Sequence, residues 1–156
     1  MTTASPHNIH ATAIAIGDRG LLFVGPSGIG KSMMAFTCLA IGRRQNVRST
    51  LIADDQVFMS RDGDRIIATC PPAIAGMIEL RASGIVKMDY VASAAVDLAI
   101  QVVSIADSER LPPADEQFRI GDIGILPLVR IASSTVDPLA VIGALVPAWR
   151  TELPFW

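Results

Sequence analysis

The residues most able to do chemistry in this sequence form one continuous segment, Gly25-Pro26-Ser27-Gly28-Ile29-Gly30-Lys31-Ser32, which is a complete G-x-x-x-x-G-K-[ST] pattern. Glycines let a backbone turn through positive φ and approach phosphate closely, so that successive N–H groups can form an anion nest. A helix that begins at Lys31 adds its positive end to this nest. The segment, together with the adjacent Met33, therefore predicts a site for ATP or a close relative.

Two acidic residues, Asp54 and Asp55, follow the short apolar run 51–53. In a phosphate-loop site the Lys31 ammonium reaches the β- and γ-phosphates and the Ser32 hydroxyl ligates Mg²⁺, with a carboxylate nearby. Adjacent residues at a strand end point in different directions, so one carboxylate can serve the metal while the other faces the substrate as a base. The alternative interpretation is a solvated turn with two surface acids.

Three further side chains are candidates for the same site. Glu79 and Arg81 alternate with apolar residues and would share one face of an extended segment. A glutamate can complete a Mg²⁺ shell and an arginine can hold phosphate with two hydrogen bonds, although a surface ion pair fits the pattern equally well. His10 opens the first strand, and a single histidine is more often a surface or packed residue.

The elements that must position these residues follow from the apolar pattern. Strands are expected at 11–16, 21–24, 50–53, 95–104 and within 118–129, with a hairpin turning at 62–64. Helices are expected at 31–41, with Gly42 as the stop, and from the Asp137-Pro138 cap through about residue 146. Because strand–loop–helix order is mixed with hairpins, the sequence predicts an α/β fold with a mixed sheet.

Composition excludes several classes of function. The 156 residues suit one domain, 1–156, with 51% hydrophobic and 18% charged residues and a net charge of −2. Scattered basic residues argue against a nucleic-acid surface. Residues 1–12 lack signal-peptide character, and no apolar run of about 18 residues predicts a membrane span. Cys38 and Cys70 are expected to be buried free thiols, so the chain is expected to be soluble and cytoplasmic.

Four motifs in one order resemble the C-terminal catalytic domain of HPr kinase/phosphorylase, in the short bacterial form without the N-terminal domain. They are His10 at a strand start, GPSGIGKS at 25–32, LIADD at 51–55 and IELRASGI at 78–85. The resemblance covers roughly residues 8–110. It implies a phosphate-loop mixed sheet with helices packed on one side, similar to phosphoenolpyruvate carboxykinase.

The resemblance also implies a reaction and its participants. The reaction is that of an ATP- and Mg²⁺-dependent serine kinase acting on the phosphocarrier HPr in the sugar phosphotransferase system. In the reverse phosphorolysis, inorganic phosphate removes the phosphoryl group from phosphoserine and pyrophosphate is released. The resemblance further implies a hexameric homo-oligomer. By position, Asp54 is expected to be the catalytic base and His10 its hydrogen-bond partner. Ser32, Asp55 and Glu79 would surround Mg²⁺, while Lys31 and Arg81 would stabilise the transferred group.

Several positions depart from the family pattern. Pro26 stands where many members have Asp, Ala82 stands where they have Gly, and the C-terminal P-V-R-P-G-R-N-type segment is missing. Kinase activity is therefore better supported than phosphorolysis. Two other hypotheses stay open: an ATP-binding regulatory module that signals through a protein partner without phosphotransfer, and, ranked lower, a small-molecule kinase.

Overall fold

A six-stranded mixed sheet forms the centre of the fold in the computed structural model, which describes residues 6–155. With strands numbered along the chain, its spatial order is β11 (Gln117–Ile120), β12 (Gly124–Ala132), β10 (Leu98–Val103), β3 (Arg19–Val24), β2 (Thr12–Ile16) and β4 (Ser49–Ala53). β10 is parallel to both β3 and β12, whereas β2 is antiparallel to both β3 and β4. The carboxyl ends of β3, β4, β10 and β12 therefore meet at one edge, where open α/β sheets bind ligands.

Two helices cover one face of this sheet, as the family resemblance implied. They are α1 (Lys31–Arg44) and α2 (Pro138–Leu145). Alternate strand residues, such as Leu21 and Phe23 of β3, are fully buried against them. Because side chains alternate along a strand, the intervening residues face the other side of the sheet.

A second, antiparallel sheet covers that other side. Its order is β1 (His7–Ile9), β5 (Val57–Asp62), β6 (Arg65–Thr69) and β9 (Ser93–Val96). Leu22 and Val24 of β3 pack with Val57 and Met59 of β5 in a second apolar cluster. The central sheet is thus buried on both faces, which explains why its strands read as continuous apolar runs.

A separate hairpin of β7 (Met77–Leu80) and β8 (Gly84–Lys87) packs Ile78 and Leu80 into the cluster beneath α1. Short 3₁₀ turns lie at Pro72–Ile74, Ile105–Asp107 and Pro147–Trp149. Across residues 6–155, no helix is both long and apolar enough to span a bilayer. Cys38 and Cys70 are buried free thiols, as expected.

The prediction that Gly42 stops the first helix is wrong. Gly42 is buried inside α1, where a Cβ atom would lie 2.2 Å from Ser49 Oγ, so the small glycine suits the close packing of this helix against β4. The helix ends instead in a Schellman motif, in which the Val47 amide donates to Gly42 O (2.9 Å) and the Asn46 amide to Arg43 O (3.1 Å). Asn46 takes the left-handed φ of 59° that this motif needs.

The single strand expected at 95–104 is also wrong. β9 ends at Val96 and β10 begins at Leu98, in different sheets, with Asp97 between them. The Asp97 amide donates to Gly20 O and its carboxylate accepts from the Gly20 amide, both at 2.8 Å, which anchors the crossing between the sheets. The hairpin turn at 62–64 and the Asp137 helix cap, which accepts from the Ala140 amide at 2.9 Å, are confirmed.

Candidate active site

The phosphate loop connects the carboxyl end of β3 to the first residue of α1. Gly28 and Gly30 adopt φ values of 82° and 115°, which glycine tolerates without a Cβ penalty. The Ile29 amide donates to Pro26 O at 3.2 Å and closes the loop. No acidic residue lies in the first turn of α1, so the positive end of the helix is left for an anion.

Lys31 folds back over this loop. Its ammonium donates to Gly25 O (2.9 Å) and Pro26 O (3.0 Å), and the residue is only 6% exposed. Burial lowers the pKa of Lys31, and the nearby Asp55 and Asp54 carboxylates oppose that shift. The cation is therefore held at the loop by carbonyl oxygens and the two acids. A bound phosphate would replace the carbonyl contacts with stronger, charge-assisted ones.

Asp54 is a buried connector between three elements. Its Oδ1 accepts hydrogen bonds from Ser32 Oγ (2.6 Å) and Thr12 Oγ1 (2.8 Å), and its Oδ2 accepts from the Glu79 amide (3.0 Å). The residue is 6% exposed, so its carboxylate faces these donors and not solvent. One side chain thus ties the start of α1, strand β2 and strand β7 together.

Asp55 points in a different direction because the backbone turns sharply at this residue. The Gln56 amide donates to Asp54 O at 2.9 Å, and Asp55 has a φ of 72°, which together are features of a classic γ-turn. This conformation is rare outside glycine, although Asp tolerates it better than most residues. The turn places the Asp55 side chain, 70% exposed, at the mouth of the site.

The prediction that His10 hydrogen-bonds Asp54 is wrong. His10 Nε2 lies 2.5 Å from Asp55 Oδ1, with 49% of the imidazole side chain exposed. The Asp54 carboxylate accepts instead from Thr12, Ser32 and the Glu79 amide. The two acids do point in different directions, as predicted. The buried Asp54 accepts a hydrogen bond from Ser32, and the exposed Asp55 contacts His10.

Glu79 and Arg81 reach the site from the β7–β8 hairpin. Ile78 and Leu80 anchor this hairpin in the core, so the intervening Glu79 faces outward into the site. The Arg81 guanidinium lies over the phosphate loop, with one nitrogen 3.1 Å from where a Cβ on Gly28 would be. A carboxylate from the strand and a guanidinium from the turn that follows it are thereby both brought to the cavity.

These groups line one cavity of about 150 Å³. Its walls are His10, Thr12, Ser27, Gly28, Gly30, Lys31, Ser32, Met33, Asp55, Glu79 and Arg81. Gly25 and Pro26 contribute the carbonyls that hold Lys31, and Ile29 packs its side chain against the core.

The cavity residues fit a Mg²⁺–nucleotide complex. Within residues 6–155, no three His, Cys, Asp or Glu side chains are grouped to hold a metal by themselves. Mg²⁺ needs only one or two protein ligands when phosphate oxygens and water supply the rest. Because Ser32 gives its proton to Asp54, its oxygen lone pairs remain free for a cation, and Glu79 lines the same cavity.

Sequence reasoning missed Thr12. It lies two residues after His10, lines the cavity and is 1% exposed. A hydroxyl in an otherwise apolar buried strand was the available signal, since such a group must find a hydrogen-bond partner.

Comparisons with known proteins identify one family to which this sequence is similar. The sequence profile of the HPr Serine kinase C-terminal domain matches residues 2–142. The HPr kinase/phosphorylase of Limosilactobacillus reuteri (strain DSM 20016) is 32% identical over 146 residues, which cover 86% of this chain and 43% of that protein. That of Geobacillus thermodenitrificans is 30% identical over 115 residues, covering 72% and 35%. The chain spans less than half the length of these relatives.

A solved structure has a similar fold. The Hpr(Ser) kinase/phosphatase from Coxiella burnetii aligns with a TM-score of 0.72 at 24% identity. The alignment covers 92% of this chain and 95% of that one. The architecture of central sheet, flanking helices and second sheet is therefore one that a kinase/phosphatase of this kind also adopts.

Proposed function

The chain belongs to the HPr serine kinase C-terminal domain family, and we propose that it transfers the γ-phosphoryl group of ATP to a seryl hydroxyl of an HPr-type phosphocarrier protein in the cytoplasm. The observation that carries this proposal is the His10–Asp55 pair at the mouth of the phosphate-loop cavity. A module that only binds ATP needs no such pair. An enzyme that removes a proton from an incoming hydroxyl does.

The roles of the two acids follow from their surroundings. Asp55 is the base, because its exposed carboxylate can meet an acceptor protein and His10 fixes its orientation. Asp54 is assigned a supporting role, because its oxygens are occupied by buried donors. This reverses the assignment expected from the family resemblance, which gave the base role to Asp54.

The remaining residues bind and neutralise phosphate. The loop amides and Lys31 hold the β- and γ-phosphates, and Arg81, already above Gly28, approaches the transferred group. Ser32 and Glu79 would hold Mg²⁺, which when bound shields the phosphate charge.

The same groups can run the reverse reaction. Asp55 would take the proton of an attacking inorganic phosphate and pass it to the departing seryl oxygen, and pyrophosphate would be released. We rank this activity second to the forward transfer. The homo-oligomer implied by the resemblance also stays a prediction.

A transfer assay tests the proposal. The protein is incubated with Mg-ATP and an HPr protein, and phosphoserine on HPr is measured by mass spectrometry. Stoichiometric, ATP-dependent phosphoserine is expected. Intact ATP binding with no transfer would reject the kinase and favour the non-catalytic regulatory module.

A further inference from the structure

Thr12 is a buried polar residue at the start of β2, in the wall of the cavity. It is 1% exposed, and its backbone pairs with Phe23 in β3. Its neighbours on the strand are alanine and isoleucine, which are buried in the apolar clusters except for the partly buried Ala15. Nothing about the packing of the strand itself calls for a hydroxyl at this position.

The hydroxyl of Thr12 has one specific partner. It donates to Asp54 Oδ1 at 2.8 Å, the same oxygen that accepts the Ser32 hydroxyl at 2.6 Å. The Glu79 amide occupies the other oxygen at 3.0 Å. With both oxygens engaged, the Asp54 carboxylate cannot rotate about its terminal bond without losing hydrogen bonds.

The fixed carboxylate in turn sets the Ser32 hydroxyl. A serine hydroxyl has one proton and two lone pairs, and its proton rotates to suit the nearest acceptor. As long as Asp54 Oδ1 stays in place, that proton points inward and the lone pairs face the cavity. Without the Thr12 hydroxyl, Oδ1 would lose its hydrogen bond from β2, and both Asp54 and Ser32 would gain alternative orientations.

We infer that Thr12 is a positioning residue for the metal end of the nucleotide site, acting through Asp54 on Ser32. The inference rests on the proposed function only in assuming that Mg²⁺ accompanies the bound nucleotide. Outer partners that orient metal ligands typically affect metal affinity by roughly 10–100-fold when removed. The effect should therefore appear in the dependence on Mg²⁺ and not in nucleotide binding alone.

The test compares Thr12→Val, which keeps the shape but removes the hydroxyl, with Thr12→Ser, which keeps it. Binding of a fluorescent, non-hydrolysable ATP analogue is titrated at increasing Mg²⁺ and also in EDTA. Thr12→Val should raise, roughly tenfold, the Mg²⁺ concentration at which analogue binding is half-maximally enhanced. Its affinity in EDTA should stay within about twofold of the wild type, and Thr12→Ser should restore the wild-type Mg²⁺ response.

Two outcomes would overturn the inference: an unchanged Mg²⁺ dependence in Thr12→Val, or an equal loss of affinity with and without Mg²⁺, which marks a merely structural role. If Thr12→Val does not fold, Thr12→Ala is measured against the same two criteria. Since no acceptor protein is present, the result is independent of whether the chain phosphorylates HPr. Phosphoserine formation by the wild type, measured separately, tests the proposed function alone.

Discussion

His10 Nε2 lies 2.5 Å from Asp55 Oδ1, although 45 positions separate the two residues in the chain. The contact forms because β2 and β4 are antiparallel neighbours, so the residues just before β2 meet those just after β4. The γ-turn at Asp55 then directs its carboxylate to the imidazole and away from the buried Asp54. The site thus separates an exposed, histidine-supported acid from an enclosed one.

Removing the imidazole should impair transfer without weakening nucleotide binding. His10→Ala is expected to lower kcat roughly 100-fold, the low end for loss of acid–base function, because Asp55 loses the group that orients it. The affinity for ATP should be unchanged, since the imidazole pairs with Asp55 and not with the phosphate loop. Steady-state kinetics and equilibrium binding measure the two effects.

The other histidine is the matched control for this variant. His7 lies on β1 against Gly121, outside the cavity. His7→Ala should leave kcat within about twofold of the wild type, as surface substitutions usually do. A loss of activity as large in His7→Ala as in His10→Ala would contradict the assigned role.

Asp54 and Asp55 should differ in their contribution to stability. Asp54→Asn replaces one of the two acceptor oxygens with an N–H₂ group, although all three neighbouring groups are donors. At least one of them therefore loses its partner, which should lower the free energy of unfolding by about 1–3 kcal/mol. Asp55→Asn is exposed, and Asn tolerates a left-handed φ, so the change in the free energy of unfolding should stay within about 0.5 kcal/mol. Urea denaturation of both variants measures this. Equal losses would show that Asp54 is not the connector.

Lys31→Met should weaken ATP binding without lowering the stability of the fold. Charge-assisted hydrogen bonds contribute roughly 1.5–3 kcal/mol, so the affinity for ATP should fall about 10–100-fold. Burial disfavours the ammonium in the folded state, as its lowered pKa indicates, and methionine removes that cost. The thermal midpoint should therefore be equal to or above that of the wild type.

The exposed Lys87 on β8 provides the comparison for Lys31. Lys87→Met removes the same charge at a distance from the phosphate loop, so its affinity for ATP should match the wild type. An unchanged affinity in Lys31→Met, or a loss shared by both variants, would reject the phosphate-loop assignment.

The Arg19–Glu152 pair should make stability sensitive to acid. The Arg19 guanidinium donates two hydrogen bonds to the Glu152 carboxylate and lies 4.7 Å from the Trp149 ring centroid. These hydrogen bonds lower the pKa of Glu152 below its ordinary value. The resulting stabilisation is fully present above the unfolded pKa of about 4.3 and is lost as the pH falls through the lower folded pKa.

Glu152→Gln should flatten this dependence. Between about pH 5 and pH 3 the urea midpoint of the wild type should fall more steeply than that of the variant. Asp64→Asn in the exposed β5–β6 turn is the control and should keep the wild-type slope. Parallel curves for wild type and Glu152→Gln would contradict the linkage.

Local features of the site could be predicted from the sequence, because they depend on neighbouring residues. The phosphate loop needs only its glycines, Lys31 and the flanking elements, and the position of Asp54 and Asp55 beside it needs only the end of the preceding strand. The partner of His10 could not be predicted, because it depends on a γ-turn with positive φ at a non-glycine residue. Strand alternation does not anticipate such a turn.

Two errors in the fold have a similar origin in tertiary contacts. Gly42 has the sequence signature of a helix stop, yet its small size serves the close approach of Ser49. The apolar run around Asp97 has the signature of one strand, yet the hydrogen bonds to Gly20 divide it between two sheets. In both cases a contact distant in sequence overrides the local preference.

The most direct test of the central claim is phosphoserine formation on HPr by wild type, Asp55→Asn and His10→Ala, with ATP affinity measured in parallel. The account predicts transfer by the wild type and a loss of roughly 100- to 10,000-fold in Asp55→Asn at unchanged ATP affinity. Transfer by Asp55→Asn at the wild-type rate would contradict the assignment of Asp55 as the base.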